Sequence, residues 1–430
     1  MQCRIISIGD ELLLGDTVNT NASWMAQALT EAGIDVERID TIKDDLVVIK
    51  DVLEEALSSV DAVITTGGLG PTHDDMTKRA VTELWNSELV VHEPTLSFIR
   101  EKFKKRNIPF SKSNYHQAEV PADCEVLFNK EGTAPGMWFE RDGHRLAVLP
   151  GVPSEMKHLM REYILPKLTE RQQGTEVRRT HYLLTSGIGE STLSDEVIGS
   201  LENFLTPSAN ISVAYLPSPS GTRIRIRGHA ASEAELDERL KPVVAYIRDR
   251  AKSYLAGEGK ELQLAEVVGK LLYEQGLTVS TAESCTGGAL SNQLTDIAGS
   301  SRYVRGGIVA YANDVKITEL DVAADDIKDA GAVSKTVALQ MARGVARKMD
   351  TDIGLSTTGI AGPGGGTNGK PVGMVWIGFW SRKQHFALRA QFTKDRLANK
   401  ERTTAVALEM VRRVLLDIPE MPYGLKKQLA

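Results

Sequence analysis

The chain of 430 residues has only three cysteines, Cys3, Cys124 and Cys285, widely separated. They are too few for a disulfide framework and too scattered for a cysteine metal cluster, which is the usage of a reducing cytoplasm. No apolar run approaches the ~20 residues that cross a bilayer. The chain runs from Met1-Gln2-Cys3-Arg4-Ile5-Ile6-Ser7 directly into a strand pattern, so no signal peptide is expected. Nor is there an excess of positive charge: 51 Lys and Arg against 57 Asp and Glu leave a net charge of −6. That balance argues against broad nucleic-acid binding. Low-complexity tracts and short-period repeats are also absent. What is present is ordinary for globular protein, 42% hydrophobic and 25% charged residues. The length suffices for two or three domains, each with its own core.

The first third alternates strand and helix. A strand over 3–8 ends in Gly9-Asp10-Glu11, and a helix follows through Trp24, Met25, Ala28 and Leu29, stopped at Gly33. A strand over 36–41, a helix over 47–57 and a buried strand over 62–66 follow, the last opening into a glycine loop. This order implies a parallel sheet covered by helices. Ligands bind at the carboxyl ends of such strands, where Asp10 and the glycine loop fall. The domain extends over 1–170, closing with a helix over 154–168, and polar Arg171-Gln172-Gln173-Gly174 reads as a linker. Residues 175–256 read as a small α+β module: strand 181–185, helix 191–204, strands 211–215 and 222–227, and helix 232–252. Arg223, Arg225 and Arg227 share one strand face there, read as a solvated edge. Gly257-Glu258-Gly259 reads as a second linker.

Alternation returns over 260–418, and 419–430 is a tail. Expected here are strands over 307–312 and 353–358 and a helix over 334–349 with Ser334 as its N-cap. Paired late strands over 374–380 and 385–392 and a closing helix over 400–416 complete it. The fold class expected is α/β: two three-layer α/β domains with mostly parallel sheets, joined by a small α+β module.

Two stretches carry chemistry in the first domain. Thr65-Thr66-Gly67-Gly68-Leu69-Gly70-Pro71-Thr72-His73-Asp74-Asp75 joins a strand to a helix. Its glycine amides and Thr72 can cradle a phosphate, and Asp74 and Asp75 can hold a hard divalent cation. Carboxylates beside a phosphate site repel the ligand unless a cation bridges them. Asp10, Glu11 and Asp16 come from another strand end and can complete the site. The turns at Gly132-Thr133-Ala134-Pro135-Gly136 and Pro150-Gly151-Val152-Pro153-Ser154-Glu155 add one more carboxylate, and read equally well as structural turns.

In the last domain the strand Leu277-Thr278-Val279-Ser280-Thr281 leads into Ala282-Glu283-Ser284-Cys285-Thr286-Gly287-Gly288, and apolar residues at helical spacing follow. Backbone amides converge at such a strand-to-helix turn, where the helix dipole favours an anion or a developing oxyanion. Ser284 needs a base. The one histidine of this domain, His385, sits on a strand flank, which argues against a Ser-His-Asp triad. Lys316 and Tyr311 follow a neighbouring strand, and a desolvated lysine can take a serine proton at neutral pH. A solvated surface position is nevertheless what sequence alone favours for Lys316. Cys285 is a rival nucleophile, with a core-facing structural cysteine the preferred reading. The loop Gly359-Ile360-Ala361-Gly362-Pro363-Gly364-Gly365-Gly366, preceded by Ser356-Thr357-Thr358, is a second candidate phosphate cradle.

With these motifs the whole chain resembles the CinA (competence/damage-inducible) family. GDELLLGDTVNTN, TTGGLGPTHDD, GTAPGM and LPGVPSEM resemble its molybdopterin-binding-like domain, associated with metal-dependent ADP-ribose pyrophosphatase activity. AESCTGG, the stretch 311–316, GAVS and GIAGPGGG resemble its PncC-type nicotinamide mononucleotide (NMN) deamidase domain. The middle module resembles the KH-type insert, although Gly187-Ile188-Gly189-Glu190 does not clearly supply the GXXG clamp that binds nucleic acid. The resemblance implies a bifunctional hydrolase acting on NMN and ADP-ribose and a homodimer; composition adds a cytoplasmic location without a membrane partner, and the acidic charge and missing GXXG argue against nucleic acid. Ser284 would be the acyl acceptor and Lys316 its base, with Tyr311 the alternative. Thr286, Gly287, Gly288, Thr358, Gly359, Gly362 and Gly364 would bind substrate. In the first domain Gly67, Gly68, Gly70, Pro71, Thr72 and Gly136 would hold the pyrophosphate. A divalent cation (Mg, Mn or Co) would sit on Asp75, Asp74, Asp10 and Glu155, and the deamidase would need none. Two other readings stand beside this one: a first domain that binds a molybdopterin-type ligand without hydrolysis, and a partner protein in DNA uptake or repair.

Overall fold

The computed structural model describes residues 1–70, 75–170 and 176–429. The chain forms two compact units, Met1–Arg178 and Arg179–Ala430. The first is built on strands β1 (Gln2–Ile8), β2 (Asp35–Ile42) and β3 (Ala62–Thr66), an antiparallel pair of β4 (Leu89–Val91) and β5 (Glu119–Pro121), then β6 (Glu125–Leu127), β7 (Gly136–Arg141) and β8 (His144–Leu149). The main sheet has the order β2-β1-β3-β8-β7-β6. Its first four strands are parallel; β7 and β6 join antiparallel.

Period-two alternation makes this a three-layer unit. Ile6, Ile8, Val63, Leu146 and Val148 pack into one apolar cluster, with Ile49 and Leu53 of the helix Leu46–Ser59. Cys3, Ile5, Ile64, Ala147 and Leu149 pack into another on the opposite face, with Met25 and Leu29 of the helix Thr20–Glu31. Asn19 caps that helix by accepting from the Ala22 amide at 3.1 Å, and Gly33, at φ 81°, lies just past its end.

The second unit holds two sheets. A small antiparallel one, in the order β10-β11-β9-β12, uses β9 (Val177–Thr185), β10 (Ile211–Ser218), β11 (Gly221–Ala230) and β12 (Leu255–Glu258). The stretch expected as a second linker is thus a strand: Gly257 and Glu258 pair with Leu184 and Leu183. The helix expected over 191–204 stops earlier, at Gly199, which takes φ 73°. The other expected linker, 171–174, lies outside the described residues. The larger sheet uses β13 (Val279–Glu283), β14 (Val304–Val309), β15 (Ile353–Gly359), β16 (Met374–Ser381), β17 (His385–Gln391) and β18 (Gln428–Leu429), in the order β14-β13-β15-β16-β17-β18. Its parallel part, β14-β13-β15, carries the motif turn, and the late strands join antiparallel.

The closing helix, Arg396–Leu415, starts a turn before the expected position because Asp395 caps it through the Ala398 amide. Buried Glu409 on this helix accepts from both Arg412 and Arg413. Arg412 in turn donates to the carbonyls of Ser253 and Leu255, tying the exit of the small module to the helix. No helix of the described residues is long and apolar enough to cross a membrane.

Candidate functional site

In the second unit, Glu283 ends β13 opposite Val309 of β14 and Thr357 of β15. Ser284, Ala310 and Thr358, the next residues along, therefore meet at one carboxyl edge of the sheet. The Ser284 amide donates to the Thr357 carbonyl at 2.8 Å, and Ser284 is only 9% exposed. Beside it the structure departs from the solvated lysine that sequence favours: Lys316 is 1% exposed. The helix Asn313–Leu320 folds back on its own approach, so that Lys316 Nζ donates to the carbonyls of Ala310 at 2.8 Å and Tyr311 at 3.0 Å. Burial lowers its pKa, against the weaker opposing pull of Cys285 and Asp314. A neutral amine has two N–H bonds and one lone pair. Both N–H bonds can go to the carbonyls, which leaves the lone pair to accept a proton.

The rivals fare differently. Cys285 is buried, and burial foremost pushes its thiol up to about 12, so it stays protonated at neutral pH. Tyr311 is exposed, and its hydroxyl meets Arg396 Nη2 at 3.1 Å. That bond ties it to a cation at the rim rather than to Ser284.

The turn is held by a residue that the sequence reading passed over. Glu283 is fully buried and its carboxylate accepts from the amides of Gly288 at 2.9 Å, Leu290 at 3.0 Å and Ser291 at 2.7 Å, and from the Ser291 hydroxyl at 2.8 Å. It satisfies the orphan donors at the start of the helix Ala289–Thr295. This corrects the donor set expected for substrate: the Gly288 amide is spent on Glu283, and the Gly287 amide on the Ser284 carbonyl at 3.2 Å. The amides of Cys285 and Thr286 have no such backbone acceptor among the described residues. The Thr286 hydroxyl pairs with that of Thr357 at 2.6 Å. The two glycines serve conformation, with φ 63° at Gly287 and 96° at Gly288.

The second glycine loop is braced from the closing helix. Asn399 Nδ2 donates to the Ala361 carbonyl at 2.8 Å, and Arg396 Nη1 to the Gly362 carbonyl at 2.8 Å. Gly359 belongs to β15, and a Cβ there would collide with Val375 and Met374, so it serves strand packing rather than a cradle. Thr358 donates its hydroxyl to the Ala332 carbonyl at 2.8 Å. Gly362 has φ 95°, while Gly364 faces open space. Lys400 is a further group the sequence reading did not mark. Its Nζ lies 3.6 Å from where a Cβ on Gly287 would stand. The signal was Arg396 and Lys400 at helical spacing of four, hidden because the helix was started at 400.

In the first unit, the carboxyl ends of β1 and β3 open into a cleft of about 420 Å³. Asp10, Gly67, Gly68, Gly70 and Asp75 all line it, together with Glu11, Asp44 and Asn21. Gly67 is obligatory: at φ 109°, a Cβ would stand 2.0 Å from the Ile8 carbonyl oxygen. The loop is pinned when the Gly70 amide donates to Asp75 Oδ1 at 2.8 Å and the Met76 amide to Asp44 Oδ1 at 2.8 Å. Asn21 Nδ2 donates to Thr66 Oγ1 at 3.2 Å and to the Gly151 carbonyl at 2.7 Å, while its buried Oδ1 has no hydrogen-bond partner among the described residues. A buried acceptor left open on a cleft wall awaits a donor from a ligand or water.

Two expected residues stand apart from the cleft lining. Glu155 accepts from Asn129 Nδ2 at 2.7 Å and fills the space a Gly132 Cβ would need, with its pKa raised by burial. It locks two turns together. Gly136 starts β7 against Leu127 and Leu159, a packing position. Pro71, Thr72 and Asp74 lie outside the described residues. Among the described residues no three of His, Cys, Asp and Glu gather as a ready metal cluster. The carboxylates of Asp10, Glu11, Asp44 and Asp75 on one cleft instead suit a cation shared with a ligand's phosphate oxygens, as magnesium prefers.

Comparison with known proteins accounts for both units. Residues 4–170 match the family model described as "Probable molybdopterin binding domain", 180–257 the "Damage-inducible protein CinA KH domain", and 261–415 the "CinA C-terminal domain". A CinA-like protein of Dictyoglomus turgidum is 41% identical over 418 residues, 97% of this chain and 100% of that protein. The chain belongs to the CinA family. Another CinA-like protein, of Salinibacter ruber, is 41% identical over 96% of this chain and 100% of its own length. A solved CinA structure from Thermoplasma acidophilum, described as of unknown function, is 35% identical over 39% of this chain and 97% of that chain, with a TM-score of 0.36. In this CinA chain the turn after β9 is engaged from the tail: the Gly187 carbonyl accepts from the Tyr423 amide at 2.7 Å.

Proposed function

We propose that this CinA protein is a bifunctional hydrolase of pyridine nucleotides, its C-terminal domain deamidating NMN to nicotinate mononucleotide and ammonia. The observation that carries the reading is the dehydrated Lys316 amine, held by two carbonyls at the strand edge that bears Ser284. Ser284 Oγ gives its proton to Lys316 Nζ and bonds to the carboxamide carbon. The resulting oxyanion is stabilised by the amides of Cys285 and Thr286, each such donor worth roughly 3 kcal/mol. Lys316 returns the proton to the departing nitrogen, and ammonia leaves an acyl ester on Ser284. Water adds to the ester, gives its proton to Lys316 and so restores the Ser284 hydroxyl as the carboxylate product departs. Lys400 and Arg396 supply positive charge for the substrate's phosphate. Incubating the full-length protein with NMN and measuring ammonia tests this half; no release refutes it.

The N-terminal cleft hydrolyses ADP-ribose to AMP and ribose 5-phosphate. A divalent cation bound by Asp75 and Asp10 would offset the charge of the pyrophosphate and polarise it. With the Gly67 amide spent on the Leu149 carbonyl and the Gly70 amide on Asp75, the amides of Gly68 and Leu69 orient the phosphates, and Asn21 Oδ1 accepts from a substrate hydroxyl or a water. AMP formation from ADP-ribose, dependent on added magnesium, manganese or cobalt, is the expected result. One alternative, binding of a molybdopterin-type ligand without hydrolysis, is supported by the likeness of residues 4–170 to a probable molybdopterin binding domain. Tight pterin binding with no AMP formed would select it.

A further inference from the structure

Within the second unit, a cavity of about 650 Å³ opens between the small module and the C-terminal domain. Neither candidate site uses it, and its size is that of a small-ligand pocket. Glu190 comes from the small module, Phe392 and Arg402 from the C-terminal domain, and Tyr423 from the tail.

Three features mark it as built. First, Arg402 on the closing helix lines the cavity with a guanidinium fork that matches one phosphate or carboxylate. Second, Tyr423 adopts φ 54°. Every other non-glycine residue with positive φ among the described residues is Asn or Asp, the types that tolerate it. A bulky residue there is strained and persists where the surroundings enforce it, often at ligand clamps. The bond from its amide to the Gly187 carbonyl, 2.7 Å, is the enforcing contact. Third, Gly189 lines the cavity with no heavy atom within 4 Å of where a Cβ would stand, so the wall there faces open space.

We propose that this cavity binds a nucleoside monophosphate. Arg402 takes the phosphate, the Glu190 carboxylate accepts from the sugar hydroxyls, and the rings of Phe392 and Tyr423 provide flat apolar surface for the base. The ligand thereby bridges the small module and the closing helix.

The test is photolabelling of the full-length protein with 8-azido-AMP, followed by peptide mapping. Expected is label on peptides covering 188–190, 217–222 or 423 that unlabelled AMP competes away. Arg402→Ala should reduce it at least tenfold and Arg402→Lys less. Gly189→Phe, at a φ of −73° that any residue adopts, should abolish it by filling the space. AMP should also raise the unfolding temperature of the wild type more than that of Arg402→Ala, whose unligated unfolding temperature shows that it folds. Label found only on other peptides, or label unchanged in both variants, would overturn the proposal. So would an oligoribonucleotide that displaces the label better than AMP, since the surface would then belong to nucleic acid.

Discussion

Lys316 is the residue on which the proposed deamidase chemistry turns. Replacing it with methionine removes the proton acceptor while keeping much of its bulk, and should slow ammonia release from NMN by roughly 10²–10⁴-fold, the usual weight of a general base. Lys316→Arg should not rescue, because a guanidinium stays protonated. The pH profile carries the same content. The base works as the neutral amine, so the rate should rise with pH through its pKa. Since burial lowers that pKa, the rise should fall below the ordinary lysine value of about 10.4. Cys285→Ala should keep most of the activity, because the thiol it removes is protonated and buried; a loss comparable to that of Lys316→Met would make the thiol the nucleophile. At the other cleft, Asn21→Leu removes the open acceptor, and about a tenfold loss in affinity for a non-hydrolysable ADP-ribose analogue, by calorimetry with magnesium present, is expected, the weight of one hydrogen bond.

At the scale of elements, much of the architecture was legible because period-two and helical patterns are strong signals where each face has one partner. Ser334 was readable as an N-cap, and its hydroxyl does accept from the Val337 amide at 3.3 Å. Ser334→Ala should cost about 1 kcal/mol in denaturant unfolding and leave the deamidation rate unchanged. Glu283 was not readable, since an acidic residue ending a strand gives no hint that the chain will turn four donors onto it. Glu283→Gln leaves some of these buried donors unmet. It should cost about 1–3 kcal/mol and, unlike the Ser334 change, also lower kcat, because the same carboxylate sets the Ser284 turn. Equal rates in the two variants would reduce Glu283 to a cap. The burial of Lys316 was not readable for a related reason: whether a lysine is solvated depends on where the following helix folds, which spacing alone does not contain. Glu155 was misplaced because a carboxylate on a turn looks the same whether it faces a cleft or an asparagine.

At the scale of the molecule, the proposed function gives the two units two chemistries with different demands. Chelation with EDTA should abolish AMP formation from ADP-ribose and leave ammonia release from NMN untouched, since the second unit's chemistry runs through Ser284 and Lys316. A parallel loss of both would mean that one site serves both substrates. The measurement that bears most directly on the central claim is ammonia release from NMN by the intact protein and by Ser284→Ala, with EDTA present. Release by the intact protein that vanishes in the variant is the expected result. Equal release by both would remove Ser284 from the chemistry, and with it the role assigned to Lys316.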